Sequence, residues 1–348
     1  MQRTPTQAAP APPLRLRLAI AAGVALLAVL YVQYGAHMRP DVQSDFDQIW
    51  YGAKALRLGR DPYAVIGPGR EWGSWPWRLY YPVPALLPAL PLSYLDVVTA
   101  RSVFAAVSAG CFAFLISRLG YAHLAALLSA SLLFAVSFVQ FAPLLACAAM
   151  SPAFGWAVSC KPNMGLAVLT TARSNRWIAI SVGLAVAMVL VSFAFQPTWP
   201  PRWLEAVREG EHFTPYVLRP GGALLLLALL RWRRPEARWL AALSIMPGTP
   251  GVQEALILFT VPQSLRSILL LAIGTHLANF WVRPLEQFSS WTDYLNTGAM
   301  ALLAFVYLPS LIAILRRPNE GEAPPWLEAV MLGIGARLAL AHSRLARD

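Results

Sequence analysis

Long apolar runs, joined by short polar or basic connections, set the pattern of this chain. The first run, 18–34, follows Arg15 and Arg17 and is close to the lower limit for a membrane span. Further runs cover 97–116, 121–139, 163–172, 177–195, 221–230, 237–247, 252–265, 267–282 and 297–315. Segment 81–95 is short and carries Pro82, Pro84, Pro88 and Pro91, so the pattern predicts a broken span or a re-entrant dip there. The stretch "APLLACAAMSPAFGWAVSCK" predicts two short helices broken at Ser151-Pro152. Several runs fall short of the roughly 20 residues a span wants, so the expectation is an all-α polytopic integral membrane protein with about 8–10 membrane segments.

One stretch departs from this pattern. In "QSDFDQIWYGAKALRLGRDPYAV", residues 43–65, Phe46, Ile49, Trp50, Ala53 and Leu56 recur at helical spacing. Ser44 and Asp47 have the spacing of a capping box, Lys54 and Arg57 suit the C-terminal end, and Gly59 is placed to stop the helix. The spacing predicts an amphipathic helix of about 14 residues, too short to cross and lying in the membrane interface. At the other end of the chain, Leu327, Met331, Ile334, Leu338 and Leu345 share one side of 325–346, which predicts an interfacial helix on the cytoplasmic leaflet.

Composition supports a membrane protein: 57% of residues are apolar and 13% charged, against about a quarter charged in soluble chains. The net charge of +11 sits in short groups at the ends of apolar runs, as membrane orientation requires, rather than on one basic face. That argues against a nucleic-acid partner. The clusters at 118, 173–176, 231–234, 266 and 316–317 can all be cytoplasmic together, with residues 35–80 outside. The implied organisation is a disordered tail 1–13, a membrane domain 14–317 headed by an uncleaved signal anchor, and a cytoplasmic tail 318–348. Cys111, Cys147 and Cys160 lie within apolar runs and read as small hydrophobes, with neither disulfide nor zinc spacing.

Candidate chemistry gathers at few positions. Asp45 and Asp47 either serve only the helix N-terminus or provide a rigidly mounted general base. The stretch "EWGSWPWRLYYP" is either an aromatic belt or a stacking surface for a sugar ring, with Arg78 able to pair with a phosphate. Lys161 lies inside an apolar run, so it either reaches the interface or pairs with an anion. His123 and His276 read as packed histidines, and Trp199, Trp203, Leu204 and Val207 as an interfacial surface on the outer side, either an anchor or a lipid-acceptor clamp. No phosphate-binding glycine loop, HExxH or GxSxG motif occurs.

The segments "SDFDQIWYGAKALRLGRDPY", "LYYPVPALLPALPLSYL", "VQFAPLLA" and "GWAVSCKPNMGLAVL" resemble, in order, the motifs of glycosyltransferase family 87. The acidic-plus-aromatic motif falls on Asp45-Phe46, the G-x-x-P-Y turn on Gly59 to Tyr63, and the Y-P-P start on Tyr81-Pro82, with Val83 in place of the second proline. The Gly-Gln motif falls on Val139-Gln140 and Lys-Pro on Lys161-Pro162. The match spans about residues 15–175; the Gln140–Lys161 interval is shorter than the family's, and a late histidine carried by some members is absent where Gln253 and Glu254 stand.

The resemblance implies a GT-C-like helical bundle that moves a hexose, mannose foremost, from a polyprenyl-phosphate sugar to a lipid or glycan acceptor with inversion. No cofactor or metal is implied, and the partners are donor, acceptor and membrane lipids. Asp45 or Asp47 would be the base, and Lys161 and Arg78 the donor-phosphate contacts. Trp50, Tyr63, Trp77, Tyr80, Tyr81, Gln140 and Glu254 are the candidate substrate-binding residues. A lipid or solute transporter, or a non-catalytic scaffold, stays open beside this reading.

Overall fold

Helices make up the regular structure of a computed structural model that describes residues 11–72, 78–210, 213–248, 251–261, 264–281 and 290–333. Among these residues no strand forms; Ile66 and Trp72 make an isolated bridge. Among the described residues four helices are long and apolar enough to cross a membrane: Leu14–Met38, Val97–Leu119, Asn175–Phe195 and Asp293–Leu315. The first and third are mostly uncovered, with only 11% of their apolar windows buried, while 56% and 44% of the other two are enclosed. In a bilayer the uncovered faces would meet lipid.

Small residues allow the close contacts. Gly110 lies against Ala21 and Ala25, bringing the Val97–Ile116 helix onto Leu14–Met38. Gly155 lies against the backbone of Ser181 and seats Pro152–Ser159 on Asn175–Phe195. Without a hydrophobic drive between helices in lipid, such close approach supplies the packing.

Other apolar runs are broken. Residues 83–94 form three short pieces, Val83–Leu86, Leu87–Ala89 and Pro91–Tyr94, because the prolines remove the N–H groups that a continuous helix needs. The expected 121–139 segment splits into Tyr121–Leu128 and Ala130–Ser137. Ser129 caps the second piece through Leu132 N–H (3.2 Å), while Thr275 Oγ1 accepts from Ala130 N–H (3.1 Å) and His276 bonds the Leu128 carbonyl (2.8 Å). The break at Ser151-Pro152 forms as the sequence suggests. Part of the expected loop 283–296 is instead helical from Trp291, capped by Ser290. That helix runs on through a π turn, Leu303–Tyr307, next to Pro309, which has no N–H to return to the preceding turn. In the tail, 325–333 is helical; the rest of the expected 325–346 helix lies outside the described residues.

The Asp45–Arg57 helix is built as its sequence suggests at both ends. Ser44 and Asp47 complete the capping box, and Gly59 takes φ +68° so that Gly59 and Arg60 N–H close on Leu56 and Ala55 carbonyls. Its polar side is covered as well as its apolar stripe: Gln48, Gly52 and Ala55 are buried, because the 83–94 pieces and the Val97–Ile116 helix pack on it.

Away from this helix, Arg238 ties the ends of several segments together. Its buried guanidinium donates to the carbonyls of Thr170 (2.6 Å), Ala172 (2.8 Å), Trp232 (2.8 Å), Arg233 (2.9 Å) and Glu322 (3.3 Å). Arg238→Met should therefore leave several buried carbonyls unpaired and lower stability by about 3 kcal/mol or more. Arg238→Lys should recover little, since a single ammonium lacks the planar fork. Thermal unfolding in detergent measures both.

Candidate functional site

The start of the Asp45–Arg57 helix is fixed by the turn at 138–140. Ser44 Oγ donates to the Phe138 carbonyl (2.9 Å), and Gln140 returns its carboxamide N–H to the Asp45 carboxylate. Between them Val139 has φ +50° while almost fully buried. A β-branched residue in the left-handed region is strained, and it stands where the resembled motif has glycine. The packing around Val139 holds that conformation, and the turn presents Gln140 to Asp45.

Asp45 and Gln140 open into a cavity of about 380 Å³. Its wall includes Tyr80, Tyr81, Lys161, Trp203 and Phe213, with amides from Gln48, Asn163 and Gln253. Three ties assemble the wall from distant segments. Tyr63 OH donates to the Tyr81 carbonyl (3.0 Å), Trp203 Nε1 to the Tyr80 carbonyl (2.8 Å), and Arg202 pairs with Asp61 (2.9 Å). Gly210 leaves room for the Tyr80 ring, which a Cβ there would meet at 2.3 Å.

The two aspartates are separated by their surroundings. Asp47 is gripped by Arg101, one arm Nε to Oδ1 at 2.6 Å and the other Nη2 to Oδ2, and also accepts from Ser44 N–H (3.0 Å). It does not line the cavity; its role is to close the helix start against the Val97–Ile116 helix. Asp45 does line it. Burial pushes its carboxyl up to about 6, with the Gln140 hydrogen bond and the Lys161 charge pulling the other way.

Lys161 pairs with Glu254, whose side chain is 3% exposed. An ammonium has three N–H groups, so the pair leaves Lys161 donors for the cavity while cancelling its net charge. Glu254 stands behind the lysine as its partner rather than in the wall, and the neighbouring Gln253 takes the wall position. Arg78 is engaged by Glu209 (2.5 Å) and is not part of the wall, so it is not placed to meet a phosphate there. Trp50 donates to the Leu92 carbonyl (3.1 Å) and Tyr63 braces Tyr81 from behind, so neither faces the cavity. Trp77 lies outside the described residues.

Sequence pattern gives no site role to Gln48, Asn163, Gln253 and Phe213, and Trp203 and Val207, for which it leaves an anchor or a lipid-acceptor clamp, line the cavity. The available signal was polar residues inside apolar runs, which for Gln253 was noted only as a departure. His123 is buried. Among the described residues no three metal-ligating side chains come together.

The geometry separates the aspartates experimentally. Asp47→Ala should cost about 3–5 kcal/mol by stranding the buried Arg101 charge, whereas Asp45→Asn should leave thermal unfolding in detergent nearly unchanged. The double change Asp47→Leu with Arg101→Met should recover most of the loss. No family model matches the chain, and neither curated proteins nor solved structures give a match to it.

Proposed function

We propose that the chain is a membrane glycosyltransferase that takes a hexose, mannose foremost, from a polyprenyl-phosphate sugar and passes it to a lipid or glycan hydroxyl. The observation that carries this reading is Asp45: a carboxylate with a raised proton affinity, mounted on a capped helix end and opening into a cavity with aromatic and amide walls. A volume of about 380 Å³ falls in the range of small-ligand sites. Aromatic planes suit the C–H faces of a sugar ring, as Tyr80, Tyr81 and Trp203 offer here.

In this mechanism the acceptor oxygen attacks the anomeric carbon as Asp45 takes its proton. The bond from that carbon to the phosphate oxygen breaks, and polyprenyl phosphate leaves with the bonding electrons, inverting the centre. Lys161, held by Glu254, donates hydrogen bonds to the departing phosphate, where such stabilisation is strongest in a water-poor site. Gln140 fixes the Asp45 carboxylate.

Charge distribution supports an outward-facing cavity. Arg15 and Arg17, Arg173 and Arg176, and Arg316 and Arg317 stand at span ends away from the cavity wall, whereas Leu295 and Trp203 belong to it. By the positive-inside rule the basic ends are cytoplasmic. In cells, Arg70→Cys should then react with an impermeant thiol reagent and Glu320→Cys should not; reversed labelling would place the cavity on the wrong side for this reaction.

The decisive assay incubates purified protein with radiolabelled polyprenyl-phosphate hexoses and a panel of lipid acceptors. Asp45→Asn should cut turnover by about 10²–10⁴-fold while sparing donor binding. Since the base must be ionised, kcat/KM should climb with pH through about 6 and then level off. It should be roughly tenfold lower one pH unit below that midpoint. Full activity in Asp45→Asn would move the base elsewhere. Label crossing vesicles without any transfer would favour a transporter.

A further inference from the structure

Two side chains of the cavity wall have no part in the chemistry above. Gln48 is three residues beyond Asp45 on the same helix, and Gln253 is the second residue of the Val252–Thr260 3-10 helix. Both line the cavity, and they are 7% and 4% exposed. Neither carboxamide has a hydrogen-bond partner among the described residues, and the Oε1 atom of each is sealed from solvent. The other two amides of the wall are engaged: Gln140 with Asp45, and Asn163 with the Pro247 carbonyl at 2.9 Å. More than nine in ten buried polar groups in proteins are paired, so two orphans in one wall call for an explanation.

The chain also reserves space for one of them. Gly251 has φ −133° and ψ 142°, a conformation that any residue adopts, so its backbone makes no demand for glycine. A Cβ at that position would stand 2.3 Å from both Nε2 and Oε1 of Gln253. The missing side chain is what lets the Gln253 carboxamide occupy its place.

We propose that Gln48 and Gln253 form a subsite for a neutral, hydroxyl-rich ring: the hexose of the donor, if the transfer reading above holds. Each carboxamide offers two N–H donors and an oxygen with two lone pairs, which matches hydroxyls that both donate and accept. Uncharged amides add no affinity for an acidic sugar. Asp45 in the same wall disfavours a uronate by like-charge repulsion. Residues three apart on a helix are neighbours, so a hydroxyl held by Gln48 fixes the ring relative to the Asp45 base.

The test compares two probes in detergent by calorimetry: a short-chain polyprenyl phosphate, and the same lipid phosphate carrying a hexose. The wild-type chain should bind the sugar-bearing probe more tightly. Gln48→Leu and Gln253→Leu should each weaken that probe by about 5–20-fold and leave the bare phosphate unchanged. Gly251→Ala should behave as Gln253→Leu, because it displaces the same carboxamide. Without ligand, the two leucine variants should melt at the same temperature as wild type or higher, since an unpaired buried amide has been removed. If wild type prefers the hexose probe and all three variants bind it equally well, the subsite is refuted and the transfer reading survives. If wild type does not distinguish the two probes, the transfer reading fails and the subsite with it. Lower melting temperatures together with weaker binding of both probes would make the amides structural and overturn the proposal.

Discussion

A backbone N–H or C=O freed inside an apolar, bilayer-sized body has no water to turn to, so each broken helix must be repaired by another part of the chain. That constraint organises this protein. The runs at 83–94, 121–137 and 142–159 are all interrupted. Two of these interruptions draw in a distant partner, Trp50 for the Leu92 carbonyl and Thr275 and His276 for the break at Ser129, and Arg238 does the same for the segment ends near Thr170, Trp232 and Glu322. The repairs are long-range, and so they fix the relative positions of helices that lipid alone would leave free to slide.

The cavity arises from the same breaks. Uninterrupted helices packed side by side leave little room for a polar chamber, whereas short pieces end where their side chains and termini can converge. Asp45 is at the first turn of one helix, Lys161 just before Pro162–Leu169, Gln140 just before Ala142–Met150 and Gln253 in the first turn of Val252–Thr260. Four element starts thus bring their polar residues to one place. The strained Val139 belongs to this economy: its left-handed backbone lets Gln140 turn back onto Asp45.

Charge in the wall is held nearly in balance. Lys161 and Glu254 cancel, and Asp47 is neutralised by Arg101 away from the cavity, which leaves Asp45 as the carboxylate whose ionisation changes the wall's charge. Burial raises its proton affinity. A group in that state can hold a proton and release it near neutral pH, which suits acid–base work better than a surface carboxylate would.

The sequence by itself determined the local elements, since their causes are local. Apolar runs near 20 residues marked the four long helices, Ser44, Asp47 and Gly59 marked both ends of the Asp45–Arg57 helix, and the prolines marked the breaks in 83–94 and at Ser151-Pro152 but not the one at Ser129. It also singled out Lys161, conspicuous inside an apolar run, and Asp45 at a helix start, while Gln140 stood out through the resembled motif. Only the tertiary structure decided which aspartate meets the cavity, since that depends on Arg101, which lies 54 residues away in the chain. It likewise decided that Lys161 is matched by Glu254, 93 residues on, and that the Asp45–Arg57 helix is enclosed by packed segments. A one-dimensional pattern records which face of a helix is apolar, but not what later packs against the other face. For the same reason the sequence gives Gln48 and Gln253 no site role: their significance lies in the partners they lack, and a missing partner is a property of three-dimensional space.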